Sequence, residues 1–176
     1  MILRRVLADC RGIAAIEFAA ALPVLIGLSL VAFEVSSYAL LNIKLQHAAT
    51  TVAELSTRDE RLCAATLDDL FSATPQIVAP FAFGSHGVVI VSGVAGNGTV
   101  GWQRSGGGSY GATSEVGTLG AAAGLPPEVT VDATSTLVAA EVFYDYQPIL
   151  LGMIPQATLH KAAYYRPRFG TLPSLC

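Results

Sequence analysis

An apolar run at residues 13–33 constrains the fold of this chain more than any other feature. Its 21 residues would form a helix about 30 Å long, which equals the hydrocarbon thickness of a bilayer. The run contains one charged residue, Glu17, and one proline, Pro23, which a membrane helix tolerates. It is longer than the core of a signal peptide, and no A-x-A-like cleavage site follows it. The sequence therefore predicts a retained transmembrane segment.

The charges on either side of the run predict its orientation. Three arginines and one aspartate give residues 1–12 a net charge of +2, whereas the whole chain carries −3. A cationic segment before an apolar span keeps the N-terminus in the cytoplasm and exports the rest. The exported part has no basic stripe that could neutralise phosphates, so we expect no nucleic-acid partner.

The helical pattern continues beyond the apolar run. No glycine or proline occurs between residues 34 and 58, and apolar residues recur at alternating spacings of four and three. One helix from about residue 14 to 57 would be roughly 65 Å long. Its second half, residues 34–57, is amphipathic and should be covered by a globular domain at residues 58–176. The apolar seam consists of Leu41, Leu45, Ala48, Val52 and Leu55.

Residues 58–176 have the pattern of an α+β domain. A short second helix is predicted within 58–83, with a capping box at 66–69 and with Pro75 and Pro80 at its end. A helix followed by strands predicts an antiparallel sheet packed on the amphipathic half of the long helix. A glycine-rich loop occupies 105–113, and the strand-like runs are 88–92, 99–104, 129–147 and 157–166.

The start of the apolar run contains a specific pattern: Arg11-Gly12, four residues, and then Glu17-Phe18. This pattern resembles the prepilin processing site of the Flp/Tad branch of type IV pilins, with Phe18 where the major pilin usually has tyrosine. The segment RGIAAIEFAAALPVLIGL is similar to the N-terminus of the TadE-like minor pilins, or pseudopilins. Three later segments resemble strand, YxYxP and RPR elements of that family: VVIVSGVAGNGTVGWQR, LVAAEVFYDYQPIL and YYRPR.

The resemblance implies a pilin-like fold and a role in the assembly or initiation of a Tad-type (Flp) pilus, with no enzymatic activity. A prepilin peptidase would cut between Gly12 and Ile13 and so remove residues 1–12 as a cytoplasmic leader. The new α-amino group could then neutralise Glu17, a carboxylate that is otherwise costly in lipid. A plainer alternative is that Glu17 lies near the headgroups beside Arg11 and extends its carboxylate to the surface.

The resemblance also implies the location and the partners. We expect a single-pass protein of the bacterial inner membrane, with a cytoplasmic N-terminus and a periplasmic C-terminal domain, either kept there or incorporated in a pilus. The expected partners are the prepilin peptidase, other Tad minor pilins, the major Flp pilin and the Tad assembly platform. No cofactor or small-molecule substrate is expected. The alternative is an uncleaved single-span protein with a periplasmic binding or adhesion domain.

Helix packing in lipid would depend on small residues in the apolar run. Small side chains let two helix backbones approach closely, and a proline kinks a membrane helix. The residues expected to act in this way are Ala19, Ala20, Pro23 and Gly27.

The three cysteines, Cys10, Cys63 and Cys176, lie too far apart in sequence for a zinc site. Removal of the leader would leave two of them in an oxidising compartment, where disulfides form. A Cys63–Cys176 disulfide and two free thiols are both compatible with the sequence, because the sequence does not show that the two residues meet.

Two glycine motifs match enzyme patterns but lie in unsuitable places. Residues 96–101 match G-x-G-x-x-G but join two strand-like runs, whereas a dinucleotide site opens a helix. Residues 107–111 match G-x-S-x-G, yet Ser109 falls in the glycine-rich loop and not between a strand and a helix. The three histidines, at 47, 86 and 160, have no metal-ligand spacing. We therefore expect neither a catalytic nor a metal site.

Overall fold

The structure is a computed structural model that describes residues 12–150, 154–169, 171, 172 and 174–176. Of the predicted leader, all but Gly12 lies outside the described residues. In the described part of the chain, one unbroken helix, α1 (Ile13–Ser56), is followed by two shorter helices, α2 (Ala64–Val78) and α3 (Phe83–His86). The strands are β1 (Gly87–Val94), β2 (Val100–Gly106), β3 (Leu137–Tyr146) and β4 (Ala157–Tyr165).

The four strands form one antiparallel sheet in the order β2-β1-β3-β4. The predicted α+β class, with a long N-terminal helix and an antiparallel sheet, is confirmed. The central strand β1 is buried along its whole length, which explains why its sequence, GVVIVSGV, is apolar at both odd and even positions. The turn between β1 and β2 uses Gly98 at φ +78°, a conformation that glycine adopts without strain.

The chain divides into two compact units. The first contains the described residues up to 38 together with 148–150, 154 and 155, and the second contains the remainder. In the second unit, the C-terminal part of α1 packs on the sheet. Gln46 Nε2 donates to the carbonyl oxygen of Ala162 in β4 (3.5 Å), and Lys44 Nζ donates to that of Ile77 in α2 (3.2 Å).

The predicted apolar seam of α1 is correct for four residues of five. Leu41, Leu45, Ala48 and Val52 are at most 1% exposed, but Leu55 is 36% exposed. The buried stripe also includes Ala49 and Ala53. A straight helix has 3.6 residues per turn, so a 3.5-residue seam drifts away from the buried face after two heptads.

The start predicted for α2 is wrong, and its predicted end is correct for Pro80, which follows the C-cap Ala79, but not for Pro75. The helix begins at Ala64, where a tertiary contact replaces the capping box: the N–H of Ala64 donates to the Cys176 carbonyl oxygen (3.3 Å). Pro75 lies inside the helix, which continues to Val78. The buried side chains of Phe71 and Val78 hold this last turn in place, and their burial offsets the hydrogen bond that proline cannot make.

The loop at residues 107–135 packs against two buried clusters of side chains from the sheet. The sequence predicts part of this loop as strand, but β3 begins only at Leu137. The loop places Val116 in a buried cluster with Val94 and Leu137. It is also held by Glu141 of β3, a fully buried carboxylate that accepts hydrogen bonds from Ser114 Oγ and from the backbone N–H of Glu115 (2.9 Å).

Candidate functional site: the N-terminal part of the long helix

The first part of α1, up to residue 38, exposes its apolar side chains. Ile16 is 71% exposed, Val24 70% and Leu28 65%. Among the described residues, α1 is the helix long and apolar enough to cross a membrane, with a window of mean hydropathy 2.2. Exposure of this many large apolar side chains to water is unfavourable at about 25 cal/mol per Å². This part of the helix is therefore suited to apolar surroundings.

The residues of the processing pattern lie at the start of α1. Gly12 directly precedes the helix and is exposed, and a Cβ placed on it would meet no described atom within 4 Å. Ile13 is the first residue of the helix, and Glu17 lies one turn later on the same face. Residues four apart have Cβ atoms about 5–6 Å apart, so an amino group at residue 13 could reach the Glu17 carboxylate. Phe18 is exposed next to Glu17.

The predicted packing residues lie along the exposed part of the helix. Ala19 and Ala20 are exposed, and a Cβ placed on Gly27 would meet no described atom within 4 Å. Pro23 lies inside α1 and removes the N–H that the carbonyl oxygen of Ala19 would otherwise bind. Ser29 Oγ donates to the Leu25 carbonyl oxygen (2.8 Å), so this hydroxyl is satisfied within the helix, as a lipid environment requires.

Glu34 is a functional candidate that the sequence pattern does not single out. Its side chain is 1% exposed, and its two carboxylate oxygens accept the backbone N–H groups of Ile149 and Leu150, each at 2.9 Å. The available sequence signal is its position, because Glu34 is the first charged residue after the apolar run. Periodicity alone assigns it only to the start of the amphipathic half of the helix.

The remaining candidate residues lie in the second unit. Cys63 and Cys176 are joined in a disulfide with a Cα–Cα distance of 4.4 Å. Ser109 lies in a loop, where its Oγ donates to the Gly84 carbonyl oxygen (3.2 Å). His86 Nδ1 is 3.9 Å from Asp145 Oδ2, whereas His160 contacts Glu141. Within the described part of the chain, no group of three His, Cys, Asp or Glu residues is arranged to hold a metal ion.

Among the described residues of this unit, Tyr144, Asp145 and Tyr164 have shifted pKa values, and burial raises the pKa of Tyr164. The amide groups of Gln147 and Gln156 donate to the Asp145 carboxylate and lower its pKa, and His86 adds a smaller effect. Burial raises the pKa of Tyr144, and the negative charge of Asp145 raises it further. A lowered aspartate pKa and a raised tyrosine pKa leave both groups in their usual ionisation states near neutral pH.

Comparison with known proteins bears on the first part of α1. Residues 12–54 match the model of a family described as TadE-like protein. The match begins at the glycine of the processing pattern and ends two residues before α1 does, so it covers nearly the whole helix and about a quarter of the chain. Nothing matches among the curated proteins or the solved structures. The resemblance carried by the N-terminal motif is confirmed.

Proposed function

We propose that this chain, TadE-like over residues 12–54, is a minor pilin (pseudopilin) that assembles into, or initiates, a Tad-type (Flp) pilus. The observation that carries the proposal is the exposed apolar part of α1, which lies within the family match and directly follows Gly12. An apolar helix surface of this kind is suited to lipid before assembly and to neighbouring helices after it. The role depends on packing and requires no catalytic residue.

The proposed maturation step supplies the partner of Glu17. A prepilin peptidase on the cytoplasmic side of the inner membrane would cut after Gly12 and leave a positively charged α-amino group on Ile13. An ionised carboxylate within a membrane helix costs a few kcal/mol unless it is paired. The amino group, from the same chain or from a neighbouring pilin, would offset this cost and fix the register of the helices. Residues 34–176 would then lie on the periplasmic side.

Cleavage is tested by blocking it with a bulky residue at the cut site. We expect Gly12→Val to retain Met1 and the wild-type chain to begin at Ile13 when both are made with an active prepilin peptidase. The control is Gly27→Val. Gly27 lies in α1 and Gly12 at its start, and a Cβ on either glycine would meet no described atom within 4 Å. Intact-mass analysis of membrane-extracted protein reads the N-terminus. A wild-type chain that keeps Met1 would instead favour the uncleaved single-span protein.

The register role of Glu17 is tested by removing only its charge. We expect Glu17→Gln to reduce assembly into the pilus fraction about tenfold, because an unpaired amine in the helix bundle has a cost of a few kcal/mol. The matched control is Glu60→Gln, at an exposed glutamate outside the helix. Sheared surface fractions and membrane fractions are compared by immunoblot. Assembly of Glu17→Gln at the wild-type level would remove the register mechanism while leaving the cleavage step intact.

A further inference from the structure

Glu34 attaches a distant segment of the chain to the end of the apolar run. Its Oε1 accepts the N–H of Ile149 and its Oε2 accepts the N–H of Leu150, both at 2.9 Å. All three residues belong to the same compact unit. A carboxylate that is 1% exposed and accepts two backbone N–H groups is a clamp that fixes where Ile149 and Leu150 lie along α1.

The clamped residues expose apolar side chains. Ile149 is 51% exposed and Leu150 49% exposed, and Phe33 and Val35, on either side of Glu34, are each 53% exposed. In the sequence, the stretch from 148 to 155 reads PILLGMIP and contains no charged side chain and no side chain that donates a hydrogen bond. This concentration of apolar groups is unusual for a sequence stretch that faces water.

The backbone of the clamped residues is prepared for an apolar environment. An unsatisfied backbone N–H in lipid costs several kcal/mol, which is why irregular segments avoid the hydrocarbon. Glu34 satisfies the N–H groups of Ile149 and Leu150, and the preceding residue, Pro148, has no N–H. These three consecutive positions therefore expose apolar side chains without exposing a backbone donor.

The height of the clamp along the helix identifies the environment. The run at 13–33 has the length of the hydrocarbon layer, about 30 Å, so Glu34 would lie where α1 leaves the acyl chains. Ile149 and Leu150 are hydrogen-bonded at that height. Side chains there meet the boundary between headgroups and acyl chains, where apolar groups of peripheral segments insert by about 5–10 Å.

We propose that Ile149 and Leu150 form a second membrane contact, inserted into the headgroup–acyl boundary on the side where α1 leaves the bilayer, and that Glu34 positions them there. This inference rests on the proposed membrane span of α1. The partner is the lipid surface. The contact would limit how far the chain can rotate about α1 or rise from the membrane before assembly.

The test measures depth with an environment-sensitive label on single cysteines in the full chain, reconstituted in phosphatidylcholine liposomes. A Cys10→Ser background leaves only the disulfide-bonded Cys63 and Cys176, so a nitrobenzoxadiazole (NBD) label attaches to the introduced cysteine alone. The probe variant is Leu150→Cys, and the water-exposed control is Leu119→Cys, whose side chain is 66% exposed in the other unit. A third variant, Leu25→Cys, reports whether α1 spans the bilayer.

We expect lipids with a nitroxide near the headgroup to quench the label at 150 at least about threefold more strongly than the label at 119, with the opposite order for aqueous iodide. Equal quenching at both positions, with Leu25→Cys quenched by a nitroxide deep in the bilayer, would overturn the second contact and retain the span. A label at 25 that no lipid nitroxide reaches would overturn both proposals. A label at 150 protected from iodide and from lipid nitroxides alike would show a protein contact instead and also overturn this inference.

The clamp is tested separately by Glu34→Gln in the Leu150→Cys variant. A glutamine has one oxygen acceptor, so it leaves one of the two N–H groups without its partner. We expect lipid quenching of the label at 150 to fall by about half or more, whereas Glu60→Gln leaves it unchanged. Quenching that is unaltered by Glu34→Gln, in a protein that still forms the Cys63–Cys176 disulfide, would exclude the positioning role.

Discussion

Leu25 and Leu45 are twenty residues apart in one unbroken helix, yet their surroundings differ completely. Leu25 is 51% exposed, whereas Leu45 is 0% exposed. Helix propensity does not explain this difference, because alanine and leucine are frequent in both parts and the first also contains Pro23 and Gly27. The difference lies in the spacing of polar residues, which are nearly absent from the first part and periodic in the second. The first part is therefore suited to an apolar environment, and the second part to a protein core.

The carboxylates follow the same division. Glu17 is exposed on the first part of α1, where the proposed partner is an amino group created by cleavage. Glu141 is fully buried in the sheet and is satisfied by Ser114 and by the backbone of Glu115. A buried carboxylate is stable only when its hydrogen-bonding capacity is used within the fold. In a helix that assembles with other helices, a carboxylate can instead be paired by a group of a neighbouring chain.

The largest expected effect comes from truncating the two leucines. Leu45→Ala should lower the free energy of unfolding by about 2–5 kcal/mol, because it leaves a cavity in a packed core. Leu25→Ala should change the free energy of unfolding by less than about 0.5 kcal/mol, because the Leu25 side chain is exposed and does not lie in the core. The measurement is urea unfolding of the full chain in mild detergent, followed by the fluorescence of the single tryptophan, Trp102. Equal effects of the two substitutions would contradict the division of α1.

The disulfide gives the next largest effect, and it should act on the second unit alone. Cys63 and Cys176 are separated by 113 residues, so their link removes much freedom from the unfolded chain. We expect the double substitution of both cysteines by serine to cost about 2–4 kcal/mol. Trp102 is a suitable reporter, since its Nε1 donates to the Leu172 carbonyl oxygen (2.8 Å), close to the tethered C-terminus.

Two further measurements with cysteine variants test the division of α1 into two parts. Cys10→Ser should leave the unfolding midpoint unchanged, because Cys10 precedes the proposed cut. A label at Leu25 should report the same bilayer depth with and without the disulfide. Loss of bilayer insertion in the double serine variant would show that the first part of α1 depends on the second unit, contrary to the division.

The sequence predicts the features of this fold that depend on neighbouring residues. The long helix follows from the absence of glycine and proline over residues 34–57, and the hairpin follows from the turn around Asn97 and Gly98. Both signals are local, because they arise from the backbone preferences of a few adjacent residues. The glycine-to-glutamate pattern at 12–17 is local too, which is why the resemblance to the TadE-like family could be seen in it.

The features that escape prediction join residues far apart in the chain. Glu34 accepts hydrogen bonds from Ile149 and Leu150, which lie 115 and 116 positions later in the chain. The helix α2 begins at Ala64, whose N–H donates to the Cys176 carbonyl oxygen. Sequence periodicity does not reveal such pairs, because neither partner is unusual in its own sequence neighbourhood. The loop at 107–135 is also difficult to predict. It packs on the sheet without regular structure, and the buried Glu141 that holds it lies in a strand whose other residues are mostly apolar.

A smaller effect is expected from the hydrogen bond that holds this loop. Ser114→Ala leaves the buried Glu141 carboxylate without one donor, which should cost about 1.5–3 kcal/mol for a bond to a charged group. The control is Ser109→Ala, because Ser109 Oγ donates to the Gly84 carbonyl oxygen at an exposed site of the same loop. Urea unfolding with Trp102 fluorescence compares the two. Indistinguishable midpoints would mean that the loop is held by its apolar contacts rather than by Glu141.

The smallest expected effect is a pH dependence confined to the second unit. Hydrogen bonds from Gln147 and Gln156 lower the pKa of Asp145 below its value in the unfolded chain, about 3.9. The ionised form is then favoured by folding, so Asp145 stabilises the fold above about pH 4 and this contribution disappears as the pH falls through the lowered pKa. Asp145→Asn should therefore flatten the acid limb of stability below about pH 4, unlike Asp69→Asn at an exposed helix position. Because Asp145 lies outside α1, the depth of a label at Leu25 should not follow this titration; a parallel change in both signals would show that the two parts of the helix respond as one.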